Sequence, residues 1–77
     1  MTDVKPRQVW ADNDVRSRGR TVEVVSVDAT HATVKVLTAR TAAPPQERER
    51  AVGRQTRIRL NRFRPNNTGY VLVADAD

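Results

Sequence analysis

The sequence predicts an all-β domain built from five short strands. Valine and threonine dominate its interior segments, and β-branched residues favour strands because their side chains pack well on a pleated surface. Residues 57–60 alternate arginines with apolar side chains, which is the two-residue period of a strand with one dry and one wet face. No segment of useful length shows the 3.6-residue period of an amphipathic helix. With 77 residues, the whole chain 1–77 is expected to form a single domain.

The N-terminal part is predicted to contain an arm, a strand and a polar loop. Residues 1–6 have little to bury, so we expect a flexible arm. The first strand follows at 8–11, where Trp10, the only tryptophan, is expected in the core or at its rim. In the loop 12–19, the aspartates are expected to hydrogen-bond the local backbone and to pair with nearby arginines. Gly19 would allow a turn at the entry to the next strand.

The second and third strands are predicted to form a hairpin. Residues 20–28 form a long strand whose apolar alternation changes phase between Val24 and Val25, which indicates a bulge or a sharp bend. Small barrels need such bends to close. A tight connection then leads into the third strand at 32–38.

Residues 41–53 interrupt the β pattern. Pro44 and Pro45 exclude a central strand, and residues 47–50 alternate in charge, which indicates a well solvated segment. We expect a mobile loop, with a protruding hairpin tip as the alternative, and Gly53 at the point where the sheet resumes.

The last third of the chain sets the predicted fold class. A strand at 57–60 is followed by residues 61–64, which are too few for an α-helix and are expected to form a single 3₁₀ turn that places Phe63 on the core. A closing strand follows at 70–73. Many small SH3-like barrels end in this order. The prediction is therefore an all-β, five-stranded SH3-like barrel with a single 3₁₀ turn before the last strand.

The distribution of charge along the sequence favours a polyanionic binding partner. The chain carries a net charge of +5, its bases are concentrated between residues 16 and 64, and its ends are acidic. All but two of the bases are arginine, a bias that GC-rich coding DNA would also produce, and we give the two explanations equal weight. Arginine suits phosphates because its planar fork donates two parallel hydrogen bonds. The candidate nucleic-acid-binding residues are Arg16, Arg18, Arg20, Arg57, Arg59, Arg62 and Arg64.

The predicted function is that of a small basic binding module. Nonspecific binding of DNA or RNA through the phosphate backbone is the first hypothesis, because the few aromatic residues are needed in the core and leave little for base stacking. The alternative is a protein-interaction module, such as a phage accessory factor that docks on an acidic host protein. The 43–50 loop, which is locally neutral, and the acidic tails fit this alternative slightly better.

Several chemistries are not expected. His31 stands alone in a turn without a nucleophile fixed nearby, so we interpret it as a residue that hydrogen-bonds the hairpin rather than as a catalyst. The Asp12-Asn13-Asp14 run lacks the later glutamate and the glycine of a calcium loop. We therefore expect no enzyme activity, no metal and no cofactor. The absence of cysteine and of a long apolar run favours a cytoplasmic protein without a signal peptide or a membrane span.

Three stretches of the sequence, spread over nearly its full length, resemble segments of known proteins. They are V-K-P-R-Q-V-W-A-D-N-D at 4–14, R-S-R-G-R-T at 16–21, and R-I-R-L-N-R-F-R-P…T-G-Y at 57–70. Together they resemble a family of short proteins from actinobacteria and their phages, a resemblance that implies no function. This chain departs from that pattern at Arg7, where glycine would be expected before Gln-Val-Trp, so the turn there would be looser.

Two further resemblances are more distant. The order of elements is similar to that of SH3-like barrels associated with translation and transcription, many of which bind RNA or protein. An aromatic first strand followed by Gly19-Arg20 and a valine-rich strand is loosely similar to ribonuclease toxins of the MazF/PemK kind. The proline that usually follows that arginine is replaced by Thr21, so a ribonuclease is a remote alternative.

Overall fold

Five antiparallel strands form one sheet. The structure, a computed structural model, describes residues 4–75. The strands are β1 (Val9–Asp12), β2 (Thr21–Val27), β3 (His31–Thr38), β4 (Gln55–Arg59) and β5 (Tyr70–Ala74). They lie in the order β4-β3-β2-β1-β5, so the last strand pairs with the first. The predicted all-β class and the five strands are confirmed. Within the described chain β4 and β5 do not pair, so the sheet is open rather than closed into a barrel.

Three short helical segments connect the strands. The 3₁₀ turn Leu60–Arg62 precedes β5 and confirms the turn predicted there, one residue earlier than expected. A second 3₁₀ turn, Val15–Ser17, lies in the loop between β1 and β2 and was not predicted. No helix in residues 4–75 is long and apolar enough to cross a membrane.

An α-helix, α1 (Pro45–Ala51), occupies part of the segment predicted as a loop. The prediction that 41–53 lacks helix was wrong, whereas its mobility stays a prediction. Pro45 stands in the first turn, where a missing N–H leaves no bond unmade, and the following glutamine, glutamates and arginines are good helix formers. The helix has no buried residue, so no apolar periodicity marked it in the sequence.

The core lies on one face of the sheet and includes Phe63, which directly follows the 3₁₀ turn Leu60–Arg62. Its buried hydrophobic residues are Trp10, Val22, Val24, Ala32, Val34, Val36, Ile58, Phe63 and Tyr70. The Phe63 ring packs edge-on against Trp10 with centroids 5.0 Å apart and stacks on Tyr70 at 5.4 Å. Core positions for Trp10 and Phe63 are therefore confirmed. Val4 also packs against this core, so the arm predicted at 1–6 is anchored at residue 4, and residues 1–3 lie outside the described part of the chain.

The phase change in β2 is a real irregularity of the sheet. The pairing of β2 with β3 shifts register between Val24 and Ser26. Before the shift Val22 and Val24 are buried, and after it Val25 and Val27 are exposed. The predicted bulge is therefore confirmed, and it turns the end of β2 away from the core.

Candidate nucleic-acid interface

Arg20 belongs to a polar network that connects three strands. Its Nη1 atom donates to the Tyr70 hydroxyl at 2.7 Å and lies 3.3 Å from Asp12 Oδ2. The Arg20 and Asp12 side chains are only 22% and 8% exposed. Burial raises the pKa of the Tyr70 hydroxyl, so it stays protonated. Arg20 therefore holds β1, β2 and β5 together and offers little free charge to a ligand.

Arg16 is paired with the residue that caps the first 3₁₀ turn. Asp14 Oδ1 accepts the Arg16 backbone N–H at 2.9 Å, and Asp14 Oδ2 accepts Arg16 Nη2 at 2.8 Å. These bonds, led by the one from the Arg16 side chain, lower the pKa of Asp14 to about 2. The expected pairing of a loop aspartate with Arg16 is confirmed.

Arg57 is paired at the β2–β3 hairpin. Asp28 Oδ1 accepts the backbone N–H groups of Thr30 at 2.9 Å and His31 at 2.7 Å, while Asp28 Oδ2 accepts Arg57 Nη2 at 2.7 Å. The two backbone bonds, followed by the one from Arg57, hold the pKa of Asp28 well below its usual range. The His31 ring is 2.8 Å from Thr30 Oγ1, as expected of a residue that hydrogen-bonds the hairpin.

The four other candidate arginines have no carboxylate partner within residues 4–75. They are Arg18, Arg59, Arg62 and Arg64. Arg62 alone is held in place, because its Nε and Nη2 atoms donate to the Thr68 carbonyl at 3.2 and 2.9 Å. A carbonyl oxygen carries no net charge, so the positive charges of all four arginines are not compensated by an ion pair within residues 4–75.

The structure places five of the seven candidates at one or the other end of β2. Arg20 precedes this strand, whereas Asp28, which holds Arg57, follows it, and a strand of 7 residues is about 20 Å long. Arg59 lies opposite His31 and therefore near Arg57. Arg16 and Arg18 lie in the loop that leads into β2, at the same end as Arg20.

The chain after the 3₁₀ turn Leu60–Arg62 lies close to the Arg16 end of β2. A Cβ at Gly69 would meet the carbonyl oxygens of Arg62 and Arg64, and Gly69 O accepts the Asn13 N–H at 2.9 Å. Arg62 also contributes to lowering the pKa of Asp14. Residues 59–64 thus run from the Arg57 end of the sheet toward the Arg16 end.

Sequence reasoning missed the arginines around α1. A cavity of about 510 Å³ lies between this helix and the sheet, lined by Arg20, Val36, Ala51, Arg54, Gln55 and Thr56. Arg50 and Arg54 border the adjoining cavity, and neither has a carboxylate partner in the described chain. Arg50 lies in α1 and Arg54 directly precedes β4, and no signal in the sequence placed the two side by side.

Comparison of the chain with known protein families, with curated proteins and with solved structures gives no match. The resemblance to actinobacterial and phage proteins therefore stays a prediction. Among residues 4–75, no group of three or more histidine, aspartate or glutamate side chains is placed to share a metal ion.

Proposed function

We propose that this protein is a small SH3-like binding module that contacts the phosphate backbone of DNA or RNA through residues 59–64. The observation that carries the proposal is the charge of this segment. Arg59, Arg62 and Arg64 lie within six residues, the segment contains no acid, and none of the three has a carboxylate partner in the described chain. Uncompensated arginines at this density attract polyanions.

The backbone that carries these arginines is anchored at two points. At its start, the Leu60 N–H donates to the Thr30 carbonyl at 3.0 Å. In its middle, Phe63 is 5% exposed and packs against Trp10 and Tyr70. A pre-ordered contact loses less conformational entropy on binding, which favours affinity.

The burial of the aromatic rings supports backbone contact rather than base readout. Trp10, Phe63 and Tyr70 are all at most 5% exposed, so none of them offers a ring face on which a base could stack. Phosphate contacts confer affinity without sequence preference. Duplex DNA and duplex RNA are therefore expected to bind with similar strength.

The SH3-like part of the proposal is supported by topology. The last strand pairs with the first, and a 3₁₀ turn lies between β4 and β5. A cytoplasmic location, which the lack of cysteine favours, belongs to the same proposal.

The second candidate function is docking on an acidic protein. The helix α1 favours it, because no residue of α1 is buried and Val52 at its end is 51% exposed. Pro45, Arg48, Glu49 and Val52 line a cavity there of mixed polarity. A surface of this composition is typical of the rim of a protein interface.

A titration with three labelled polyanions separates the candidates. Fluorescence anisotropy would be measured with duplex DNA, duplex RNA and poly-glutamate, each at low and high salt. Backbone binding predicts that both nucleic acids bind, that poly-glutamate binds much more weakly, and that log affinity falls linearly with log salt. Preference for poly-glutamate, or no nucleic-acid binding at low salt, would favour the protein-docking function. Cleavage of the RNA during the titration would instead point to the ribonuclease alternative.

A further inference from the structure

An open cleft, the α1 cleft, lies between the helix α1 and the sheet. No residue of α1 is buried, and the small side chains of Ala39, Ala43 and Ala51 line the gap without filling it. Two adjoining cavities of about 510 and 540 Å³ and a smaller one of about 250 Å³ remain, and all three share Ala51 as a wall. The two larger cavities fall within the size range of small-molecule binding sites.

The α1 cleft combines apolar walls with polar groups at its opening. Val36, which is 5% exposed, lines two of the three cavities. Gln46, Gln55 and Thr56 are exposed and contribute amide and hydroxyl groups to the lining. Apolar walls with a few polar groups are the usual composition of a site for a small organic ligand.

Two arginines of the α1 cleft carry charge that is not compensated. Arg50 and Arg54 line the same cavity, and neither has a carboxylate partner among residues 4–75. The backbone of Arg54 is anchored, because its N–H donates to the Ala51 carbonyl at 3.1 Å and its carbonyl accepts the Val36 N–H at 2.8 Å. The first of these bonds also engages the last carbonyl of α1, which would otherwise repel an anion.

The other charged groups that line these three cavities are already paired. Arg40 Nη2 donates to the two carboxylate oxygens of Glu47 at 3.2 and 3.3 Å, and Arg20 Nη1 lies 3.3 Å from Asp12 Oδ2. Within the described chain, the charge that the cleft offers to a ligand is therefore that of two guanidinium groups. A phosphomonoester carries about 1.5 to 2 negative charges at pH 7, and its oxygens match the planar fork of arginine.

We propose that the α1 cleft binds a small organic molecule through its phosphomonoester group. Arg50 and Arg54 contact the phosphate oxygens, and the organic part of the ligand covers the apolar walls at Val36 and Ala51. No residue of the 59–64 segment lines the cleft. This site is therefore separate from the proposed nucleic-acid interface and does not depend on it.

An NMR titration of the wild-type chain with phenyl phosphate tests the site. The comparison anions are benzenesulfonate, which has the same ring but a single negative charge, and inorganic phosphate, which lacks the ring. We expect saturable shifts of the backbone amides of residues 51–56, smaller shifts at 59–64, and tighter binding of phenyl phosphate than of either comparison anion. The absence of saturable shifts at 51–56, larger shifts at 59–64, or equal affinity for either comparison anion would overturn the proposal.

Two matched variants test the role of the arginines. Arg54→Gln removes a guanidinium of the cleft but keeps both backbone bonds, and it should weaken phenyl phosphate binding about tenfold, as expected for the loss of a hydrogen bond to a charged group. Arg48→Gln is the control. Arg48 also lacks a carboxylate partner among residues 4–75, but it lines a separate cavity with Pro45, Glu49 and Val52.

The control variant should bind phenyl phosphate almost as tightly as the wild type does. Equal losses of affinity in the two variants would contradict the proposal, because binding would then follow net charge. An Arg54→Gln variant with the affinity of the wild type would contradict it as well.

Discussion

Arg20 lies in a basic loop but stabilises the fold through its contacts with Asp12 and Tyr70. The Arg20 guanidinium satisfies a carboxylate that is 8% exposed and a hydroxyl on a core tyrosine. Removing it leaves a nearly buried charge without its partner, which costs more than losing a surface ion pair. Arg16 forms the contrasting case, because its side chain is 83% exposed.

Arg20→Gln should therefore destabilise the protein by about 2 kcal/mol, because hydrogen bonds to charged groups contribute about that much. In a domain of this size the melting temperature should fall by roughly 10 °C. Arg16→Gln, the control, should change stability much less, since exposed ion pairs contribute little. Urea denaturation of both variants measures these changes. Equal losses of unfolding free energy in the two variants would show that the Arg20 network does not stabilise the fold.

The lowered pKa of Asp14 predicts that the stability of the fold depends on pH in the acid range. Its pKa falls from the ordinary 3.8 to about 2 in the folded chain, so the folded state binds this proton less readily than the unfolded state. The resulting stabilisation is present above about pH 4 and is lost as pH falls through the folded pKa. Asp14→Asn should lose less stability than the wild type between about pH 4 and pH 2. Unfolding free energies measured across that range test this, and parallel curves would contradict it.

The strands and the helices differ in how far they can be predicted from the sequence. β2 and β4 can be predicted because apolar and polar side chains alternate along them. The bulge in β2 is indicated by the adjacent Val24 and Val25, which interrupt that alternation. Helix α1 has no such signal, because it packs no apolar face and forms through propensity and the placement of Pro45 alone.

Gly19, which precedes β2, and Gly53, which follows α1, allow the cost of a steric clash to be separated from the cost of an unfavourable backbone conformation. Gly19 and Gly53 have φ of +92° and +87°, so alanine is strained at both positions by about 1 kcal/mol. A Cβ at Gly19 would also meet Thr41 Oγ1 and lie 3.1 Å from the Thr41 nitrogen, whereas at Gly53 nothing lies within 4 Å. Gly19→Ala should therefore destabilise the chain more than Gly53→Ala in chemical denaturation. Equal losses would mean that the contact with Thr41 relaxes without cost.

At the scale of the whole molecule, the distribution of free charge depends on contacts between distant residues. The sequence identifies the arginines, but their pairing with Asp12, Asp14 and Asp28 follows from loop and hairpin geometry. The separation of Arg57 from Arg20 along β2 likewise depends on strand register. Sequence reasoning thus predicts a basic module, whereas the structure shows which arginines lack a carboxylate partner among residues 4–75.

We propose that uncompensated arginines at 59–64, rather than net charge alone, bind the phosphate backbone. The most direct test compares two double variants that each remove two positive charges. Arg59→Gln with Arg64→Gln removes free guanidinium groups, whereas Arg16→Gln with Arg57→Gln removes groups already paired with aspartates.

In anisotropy titrations with duplex DNA at low salt, the first pair is expected to weaken binding roughly tenfold or more and to reduce the salt slope by about 2, since each phosphate contact contributes close to one unit. The second pair should change the affinity much less. Equal losses of affinity in the two double variants would contradict the account, because binding would then follow net charge and not the position of the arginines.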